Sequence, residues 1–316
     1  MFKFIDLFAG IGGFRIAGEN LNGKCVFSCE IDKTAQEVYY KNFKDVPYPD
    51  IRILNEKDIP DFDILFAGFP CQPFSISGLK LGFNDKKNGD LFFHIVRIIK
   101  HKKPKAFILE NVKHFSRINK GEILKLAISF LKQLNYNIYY KVLNSKFFGV
   151  AQNRERLFIV GIHKDYKKSF YFPDGTNKKV YLENIIEKEV DESLFYRGDY
   201  KLDKQDIKNN IFRPYRLGFV RKGRQGERIY SIKGLSITIS HSTGGIFSKT
   251  GGYLTPLGIR KLSINEVKKL FAFPLNYSFE AVNYNKAISL LGNSVVISVV
   301  EAVLRNILEV ISKDKI

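Results

Sequence analysis

Over its first half the chain alternates short apolar runs with helical stripes. Residues 2 to 8 are mostly apolar and run into Ala9-Gly10-Ile11-Gly12-Gly13, which predicts a strand, a glycine turn and a helix starting at about Phe14. Residues 24 to 31 form a second apolar run that carries Glu30 at its end, and a helical pattern follows from Lys33 to about Asn42. A third run at 63 to 67 predicts a strand. Residues 91 to 101 place Phe92, Ile95, Ile98 and Ile99 on one helical stripe, and Ala106 to Val112 read as a further strand. A helix at about 121 to 134 and strands near 137 to 143 and 156 to 162 complete this part. Strands alternating with helices imply βαβ units in a mostly parallel sheet, and right-handed crossovers bring the strand ends to one edge. That edge should collect the 10–13 turn, Glu30, Cys71 and Glu110.

The pattern changes near residue 180. The stretch 184 to 210 is polar and irregular, and 211 to 260 is rich in Gly, Arg, Ser and Thr. Its short β-like pieces, Ile229 to Ile232 and Leu235 to Ile239, predict a smaller, mostly β domain. Ser263-Ile264-Asn265-Glu266 matches a capping box and should start a helix. A last helix at about 294 to 312 is apolar enough on one face to return to the first domain. The expected organisation is therefore a larger domain over 1–183 and a smaller, mostly β domain over 184–263. Residues 264–291 form a hinge, and 292–316 the returning C-terminal helix.

Composition narrows the class. The 316 residues are 45% hydrophobic and 26% charged, ordinary for a soluble globular protein. No apolar stretch is expected to span a membrane, and no cleavable leader is read at the start, so the expected location is cytoplasmic. The three cysteines, Cys25, Cys29 and Cys71, imply neither a disulfide framework nor a zinc site, and no metal is expected. The net charge of +19 favours a polyanionic partner through counterion release.

Candidate chemistry centres on Gly68-Phe69-Pro70-Cys71-Gln72-Pro73, where two prolines bracket a cysteine just past a strand. Prolines forbid continuation of the strand, so Cys71 is held at the sheet edge where open α/β sheets place their chemistry. Its ordinary reading is a small buried hydrophobe. Glu110 ends another strand of the same sheet, and a thiol beside a carboxyl group suits nucleophilic addition to an electron-poor ring. The glycine turn suits a nucleotide-type cofactor, with Glu30 placed to bind ribose hydroxyls. The turn is not the full dinucleotide fingerprint, which favours adenosine over NAD. Arg154 and Arg156, two apart before a strand, should point to one side and grip a phosphate or orient an acid.

Taken in order, Phe8-Ala9-Gly10-Ile11-Gly12-Gly13, Gly68-Phe69-Pro70-Cys71-Gln72, Glu110-Asn111-Val112, Gln152-Asn153-Arg154-Glu155-Arg156 and Gly292-Asn293-Ser294-Val295 resemble the DNA cytosine-5 methyltransferases, with an overall likeness to the bacterial HhaI-type enzymes. The likeness covers nearly the whole chain. It implies an α/β, Rossmann-like class I S-adenosylmethionine-dependent methyltransferase fold, with a mixed, mostly parallel sheet and a smaller β recognition domain. S-adenosyl-L-methionine, which leaves as S-adenosyl-L-homocysteine, would be held by Phe8, Gly10, Ile11, Gly12, Glu30, Ile31, Asp50, Ile51, Gly68, Pro70, Leu91, Asn293 and Val295. Cys71 would attack C6 of a flipped-out cytosine, and Glu110 would hold and protonate N3. Arg154 and Arg156 would anchor the base and the acid. DNA would be met by Ser75 and Ser77 in a closing loop and by Gln225, Arg228, Ser242 and Gly245 in the small domain. The sequence departs from the family at Ile31, where relatives place an aromatic that stacks on adenine, and at His241-Ser242-Thr243. The resemblance leans to GCGC as target. It implies double-stranded DNA as partner, a monomer with no obligate protein partner and no membrane, and functional pairing with a restriction endonuclease. The alternatives weighed are an RNA cytosine-5 methyltransferase, a non-catalytic DNA-binding module and an NAD-dependent oxidoreductase.

Overall fold

A computed structural model describes residues 1–70, 91–203, 211–241 and 244–312. Cys71, Ser75, Ser77 and Ser242 lie outside the described residues. The described chain forms two compact units. The first comprises Met1–Leu143, Glu155–Pro173 and Val300–Ile316, and the second Asn144–Arg154 and Asp174–Val299. Each is built from non-consecutive pieces. Residues 144–154 and 264–299 belong with the β-rich part of the chain.

In the first unit the strands are β1 (Phe2–Leu7), β2 (Gly23–Cys29), β3 (Ile64–Gly68), β4 (Ala106–Val112), β5 (Tyr136–Asn144) and β6 (Glu155–His163). They form one six-stranded sheet in the order β2-β1-β3-β4-β6-β5. β1 pairs in parallel with β2 and β3, and β3 with β4, while β6 runs antiparallel to β4. The helices are α1 (Gly13–Asn20), α2 (Lys33–Phe43), α3 (Leu91–Lys102) and α4 (Glu122–Lys132). β3 is buried at Ile64, Leu65, Phe66 and Ala67, and β4 from Ala106 to Asn111. Central strands of a covered parallel sheet read as continuous apolar runs for this reason. α3 buries Phe92, Phe93, Ile95, Val96, Ile98 and Ile99 against the same core as Leu65, Phe107 and Leu109. α2 begins where the Asp32 side chain accepts from the Thr34 and Ala35 N–H groups, satisfying donors that a helix start leaves open.

In the second unit β7 (Tyr200–Leu202), β8 (Arg216–Val220), β9 (Arg228–Ser231), β10 (Gly252–Thr255) and β11 (Gly258–Arg260) form a five-stranded sheet ordered β11-β10-β9-β8-β7. Leu217, Val220, Ile229, Phe247 and Ile259 make its core. The 235–239 piece is not a strand of this sheet. Its backbone groups go elsewhere: Ser236 N–H donates to Ala151 O at 2.8 Å, Asn153 N–H to Ser236 O at 3.1 Å, and Ile237 N–H to the Tyr253 hydroxyl at 3.2 Å. Only a single bridge, Gln152 with Ser236, results.

The capping box at Ser263 forms as read and starts α5 (Ile264–Phe271). Two more helices follow, α6 (Tyr284–Asn293) and α7 (Ile297–Ile311). Contrary to expectation, the stretch Tyr284–Ile311 is apolar enough for a membrane span over an 18-residue window, with mean hydropathy 2.0. Two thirds of that window (67%) is buried inside the protein, which is the signature of a core helix. Ile297, Val300, Leu304 and Ile307 fall at helical spacing and are all buried.

Glu266 and Arg260 are fully buried and ion-paired at 2.6 Å. The Glu266 carboxylate accepts from Arg260 Nη1 and Nη2 and from the main-chain N–H groups of Glu187 and Ser263. Buried charges survive only when so saturated. Glu266→Gln strands the Arg260 cation and should lower the unfolding free energy by about 3–5 kcal/mol. Urea denaturation followed by tryptophan-independent circular dichroism checks this.

Candidate active site

Parallel pairing brings four strand ends level. Leu7 stands opposite both Cys29 and Ala67, and Gly68 opposite Glu110. Everything that follows these residues in the chain emerges at one edge of the sheet.

At the β1 end the chain turns through Phe8, Gly10 and Gly12, all with positive φ (58°, 54° and 77°). Glycine takes this conformation without strain, whereas Phe8 does not. Two features pin the turn. Ala9 N–H donates to Cys29 O at 2.9 Å, and Gly10 N–H donates to Glu30 Oε2 at 2.7 Å. The other Glu30 oxygen accepts from Asp32 N–H at 2.7 Å. Burial nevertheless pushes the Glu30 carboxyl up from its ordinary value, with these N–H groups opposing. Ile11 is buried with its side chain in the core, so only its main chain can face a ligand. Gly12 caps α1 with no side-chain hydrogen bond.

Beside β2, Tyr48 bridges to Cys29 and its carbonyl accepts from Glu30 N–H at 3.0 Å, which sets the chain to Asp50 alongside Glu30. Asp50 is gripped by Arg52 through contacts of 2.6 to 3.0 Å, and this pair holds its carboxyl below the ordinary range. Ile51 is buried, and its carbonyl accepts from Arg97 Nη2 at 2.6 Å. Ile31 is 59% exposed, so an apolar side chain stands where the family pattern has an aromatic. A nucleoside with free hydroxyls and a neutral base fits these surroundings: a carboxyl group that can accept from hydroxyls, a tight glycine turn and exposed apolar surface at one sheet edge. Gly68 and Pro70 end β3, and Leu91 opens α3, in this same unit.

Gly68 leads towards Cys71. A Cβ built on Gly68 would lie 3.9 Å from Glu110 Oε2. β3 thus ends alongside the Glu110 carboxyl. Asn111 secures the exit, its Nδ2 donating to Phe69 O at 3.1 Å. Glu110 is 9% exposed and pairs with Arg156 Nε at 3.2 Å. The geometry follows from register. Val112 opposes Arg156 and Glu110 opposes Phe158, so Arg156 is the diagonal neighbour of Glu110 on one sheet face. Burial lowers the Arg156 guanidinium from its ordinary value, and Glu110 acts in the other direction.

Arg154 precedes β6, so strand alternation does not govern it. It lies in the second unit, 2% exposed, and donates to the carbonyls of Ile239, Gly292 and Ser294, each at 2.9 Å. Asn293 and Val295 flank Ser294 in that unit. The second unit also holds Gln225, which is exposed, Arg228, whose buried Nε has no hydrogen-bond partner, and Gly245, exposed with φ 77°. A Cβ on Gly226 would strike Gly244 O at 1.6 Å, and Phe247 N–H donates to Gly226 O at 2.8 Å. The 225–228 and 244–247 segments are therefore packed backbone to backbone.

One buried acid escaped the sequence reading. Asp6 on β1 is fully buried and its oxygens make no hydrogen bond of good geometry. Its nearest favourable groups are the Arg15 main-chain N–H and guanidinium, and the latter is committed to Glu19, Tyr39 and Asp45. An acid inside the apolar run Phe4-Ile5-Asp6-Leu7 was the available signal. Burial pushes its carboxyl well above the ordinary range. The folded state then keeps a proton that the unfolded chain releases above about pH 4, so Asp6 favours folding at low pH and that contribution fades as pH rises. Asp6→Asn should flatten the fall in unfolding free energy between pH 5 and pH 8. Equal slopes in wild type and variant, measured by urea denaturation, would show that Asp6 is ionised when buried.

Comparison with known proteins agrees with this architecture. Residues 2–309 match the C-5 cytosine-specific DNA methylase family. The chain is 44% identical over 308 residues to the type II methyltransferase M.HhaI of Haemophilus parahaemolyticus, covering 96% of this chain and 94% of that one. It is 39% identical over 309 residues to M.NgoBI of Neisseria gonorrhoeae, covering 96% and 92%. Among solved structures, EhMeth of Entamoeba histolytica superposes with TM-score 0.74 at 20% identity over 99% of both chains. A DNMT2 variant of Spodoptera frugiperda does so with TM-score 0.76 at 21% identity, over 97% of this chain and 99% of that one. The fold is that of the S-adenosyl-L-methionine-dependent methyltransferases, as the sequence pattern implied. The chain belongs to the C-5 cytosine-specific DNA methylase family and is a DNA cytosine-5-methyltransferase of the type II class.

Proposed function

We propose that this enzyme methylates C5 of one cytosine within a short double-stranded DNA sequence, through a transient bond between Cys71 and C6 of a flipped-out base. The observation that carries the reading is the placement of Glu110. It is held by Arg156 at the edge of the sheet, beside the strand that leads to Cys71.

S-adenosyl-L-methionine supplies the electrophilic methyl group. Phe8, Gly10, Gly12, Glu30, Asp50, Ile51 and Leu91 are the proposed contacts, all in the first unit. The chain's own residues prepare the acceptor. A free thiol titrates near ~8.5, and its thiolate is the nucleophile. Addition of the Cys71 thiolate to C6 moves the ring electrons towards N3 and leaves C5 as an enamine carbon. Glu110 donates a proton to N3 as that charge develops. Arg156 orients the carboxyl group and keeps it from turning away. After C5 gains its new substituent, solvent takes the C5 proton, the Glu110 carboxylate takes back the N3 proton, and departure of the Cys71 thiolate restores the ring. A stacked base offers neither face to such a nucleophile, so extrusion of the cytosine is required, at a cost of a few kcal/mol.

In the second unit Arg228 is proposed to pair bidentately with guanine and Gln225 to reach a base edge or fill the gap left by the cytosine. The +19 charge supplies the sequence-independent affinity. The proposed target is GCGC, the proposed setting a bacterial cytoplasm, and the proposed role the protective half of a restriction–modification pair, with the enzyme acting as a monomer.

Bisulfite sequencing of a plasmid exposed to the enzyme and S-adenosyl-L-methionine reports reaction and target together. Protection of one cytosine per GCGC is expected, and protection at unrelated sites would reject that target. Cys71→Ser should abolish turnover and retain DNA binding in gel-shift assays. Glu110→Gln should slow the single-turnover rate far more than it weakens binding. Arg228→Ala should cost about 1–3 kcal/mol of binding at one base position only, and a uniform loss across sequences would make it a phosphate contact.

A further inference from the structure

The site described above stands where the parallel strands end. The edge where they begin has a different character. Lys24 on β2 stands opposite Lys3 on β1. Lys3 N–H donates to Asp63 Oδ2 at 2.7 Å, Lys105 Nζ pairs with Asp63 at 2.7 Å, and His163 N–H donates to Lys105 O at 2.9 Å. One row across five neighbouring strand lines thus reads Lys24, Lys3, Asp63, Lys105, His163, spanning about 19 Å at ordinary strand spacing. Lys3 and Lys24 are exposed, and like charges placed opposite each other oppose folding, so stability does not account for them.

The chain adds lysines on both sides of this row. α3 ends at Lys100 and Lys102, and only Lys103 and Pro104 separate it from Lys105. A helix end favours cations, which accounts for the first two and not for those at the strand starts. Lys164 follows His163, its N–H donating to Asn135 O at 3.1 Å, and exposed Lys167 and Lys168 come next. Three acids stand among these cations, and each has a basic partner there: Asp61 has Lys102 at 3.5 Å, Asp63 has Lys105, and Asp165 has His163 at 3.2 Å. Nine lysines thus face three acids. Residues 25–58 of the same unit hold five basic and seven acidic side chains, so the +19 charge is not spread evenly.

We propose that this edge binds the phosphate backbone of a second segment of duplex DNA, without regard to sequence, while the catalytic edge holds the first. The proposal rests on the DNA cytosine-5 methylation reading given above. The length of β4 separates the two edges by roughly 20 Å, and they face opposite ways, so one straight duplex does not serve both. A concentration of like charge calls for a dense polyanion, and a duplex carries a phosphate charge every ~1.7 Å of its axis. The nine lysines are point charges, which neutralise phosphate without the forked geometry by which arginine reads a guanine edge. Held at both edges, the enzyme can pass from one segment to another without leaving DNA.

The test uses the full-length enzyme. Bisulfite sequencing defines the cognate duplex, and a version with 5-fluorocytosine at the target traps the enzyme on it through Cys71, which leaves the catalytic edge occupied. A short labelled duplex without the target sequence is then titrated into this adduct at several salt concentrations and followed by fluorescence anisotropy. Binding is expected. Lys3→Gln, Lys24→Gln and Lys164→Gln combined should weaken it at least about tenfold and lower the salt slope by about two to three, with the single-turnover rate on cognate DNA unchanged. A control removes as many charges elsewhere in the same unit, at Lys41, Lys44 and Lys125. Phe43, between the first two, lies against Gly12 at the opposite edge. This control should leave the second duplex bound nearly as before. All six substituted lysines are exposed, and should the first combination not fold, Lys24→Gln alone is expected to lower the salt slope by about one. Equal losses in the two triple variants, or an adduct that excludes the second duplex, overturn the proposal. Preference for polyglutamate over the duplex overturns it too, and assigns the edge to an acidic protein. If no adduct forms, the methylation reading fails instead, and the two triple variants are compared by the same titration of the free enzyme, where equal losses again overturn the proposal.

Discussion

A carboxyl group nearly sealed from water must be held by a cation or keep its proton, and the Glu110–Arg156 pair is where this protein meets that constraint. The pair exists because β6 runs antiparallel to β4 in one register. A slip of one residue would turn Arg156 to the opposite face and leave Glu110 without it. Sheet topology thus decides which cation reaches a single buried carboxyl group. The same parallel alignment that levels the ends of β1, β2, β3 and β4 places the Glu30 carboxyl at the glycine turn and the Glu110 carboxyl beside Gly68.

The two acids experience burial differently. Glu30 is wrapped by main-chain donors from Gly10 and Asp32, which suits a group that accepts from a ligand's hydroxyls. Glu110 has a side-chain cation that is itself costly to bury. Two carboxyl groups at one sheet edge thus differ through their surroundings and not their chemistry.

Much of this was legible from residue pattern. The βα alternation of the first 163 residues, the capping box at Ser263 and the strand at 106–112 carry strong local signals, and each forms where periodicity places it. The sheet edge that gathers Gly10, Glu30 and Glu110 followed from right-handed crossovers alone. Other features were not local. The 235–239 piece alternates like a strand, but its partners lie about 85 residues earlier, at 151–154, and no window reveals that. Arg154 and Arg156 look equivalent two positions apart. They separate because one precedes the strand and the other is in it. Asp6 was visible as an acid among apolar neighbours, but its isolation depends on Arg15 being committed to three other groups, which only the fold decides.

The interleaving of the two units has a consequence for engineering. The strands of the second unit lie within 174–299, a continuous stretch that invites exchange between relatives. Yet the unit also includes 144–154, encoded upstream of β6, and it is this short insert that supplies Gln152, Asn153 and Arg154 to the 236–239 backbone. A chimera made by transplanting the later stretch alone would graft a foreign β unit onto a native foundation. Retargeting such an enzyme therefore calls for two cuts in the gene, with the eleven-residue insert travelling alongside the segment it supports.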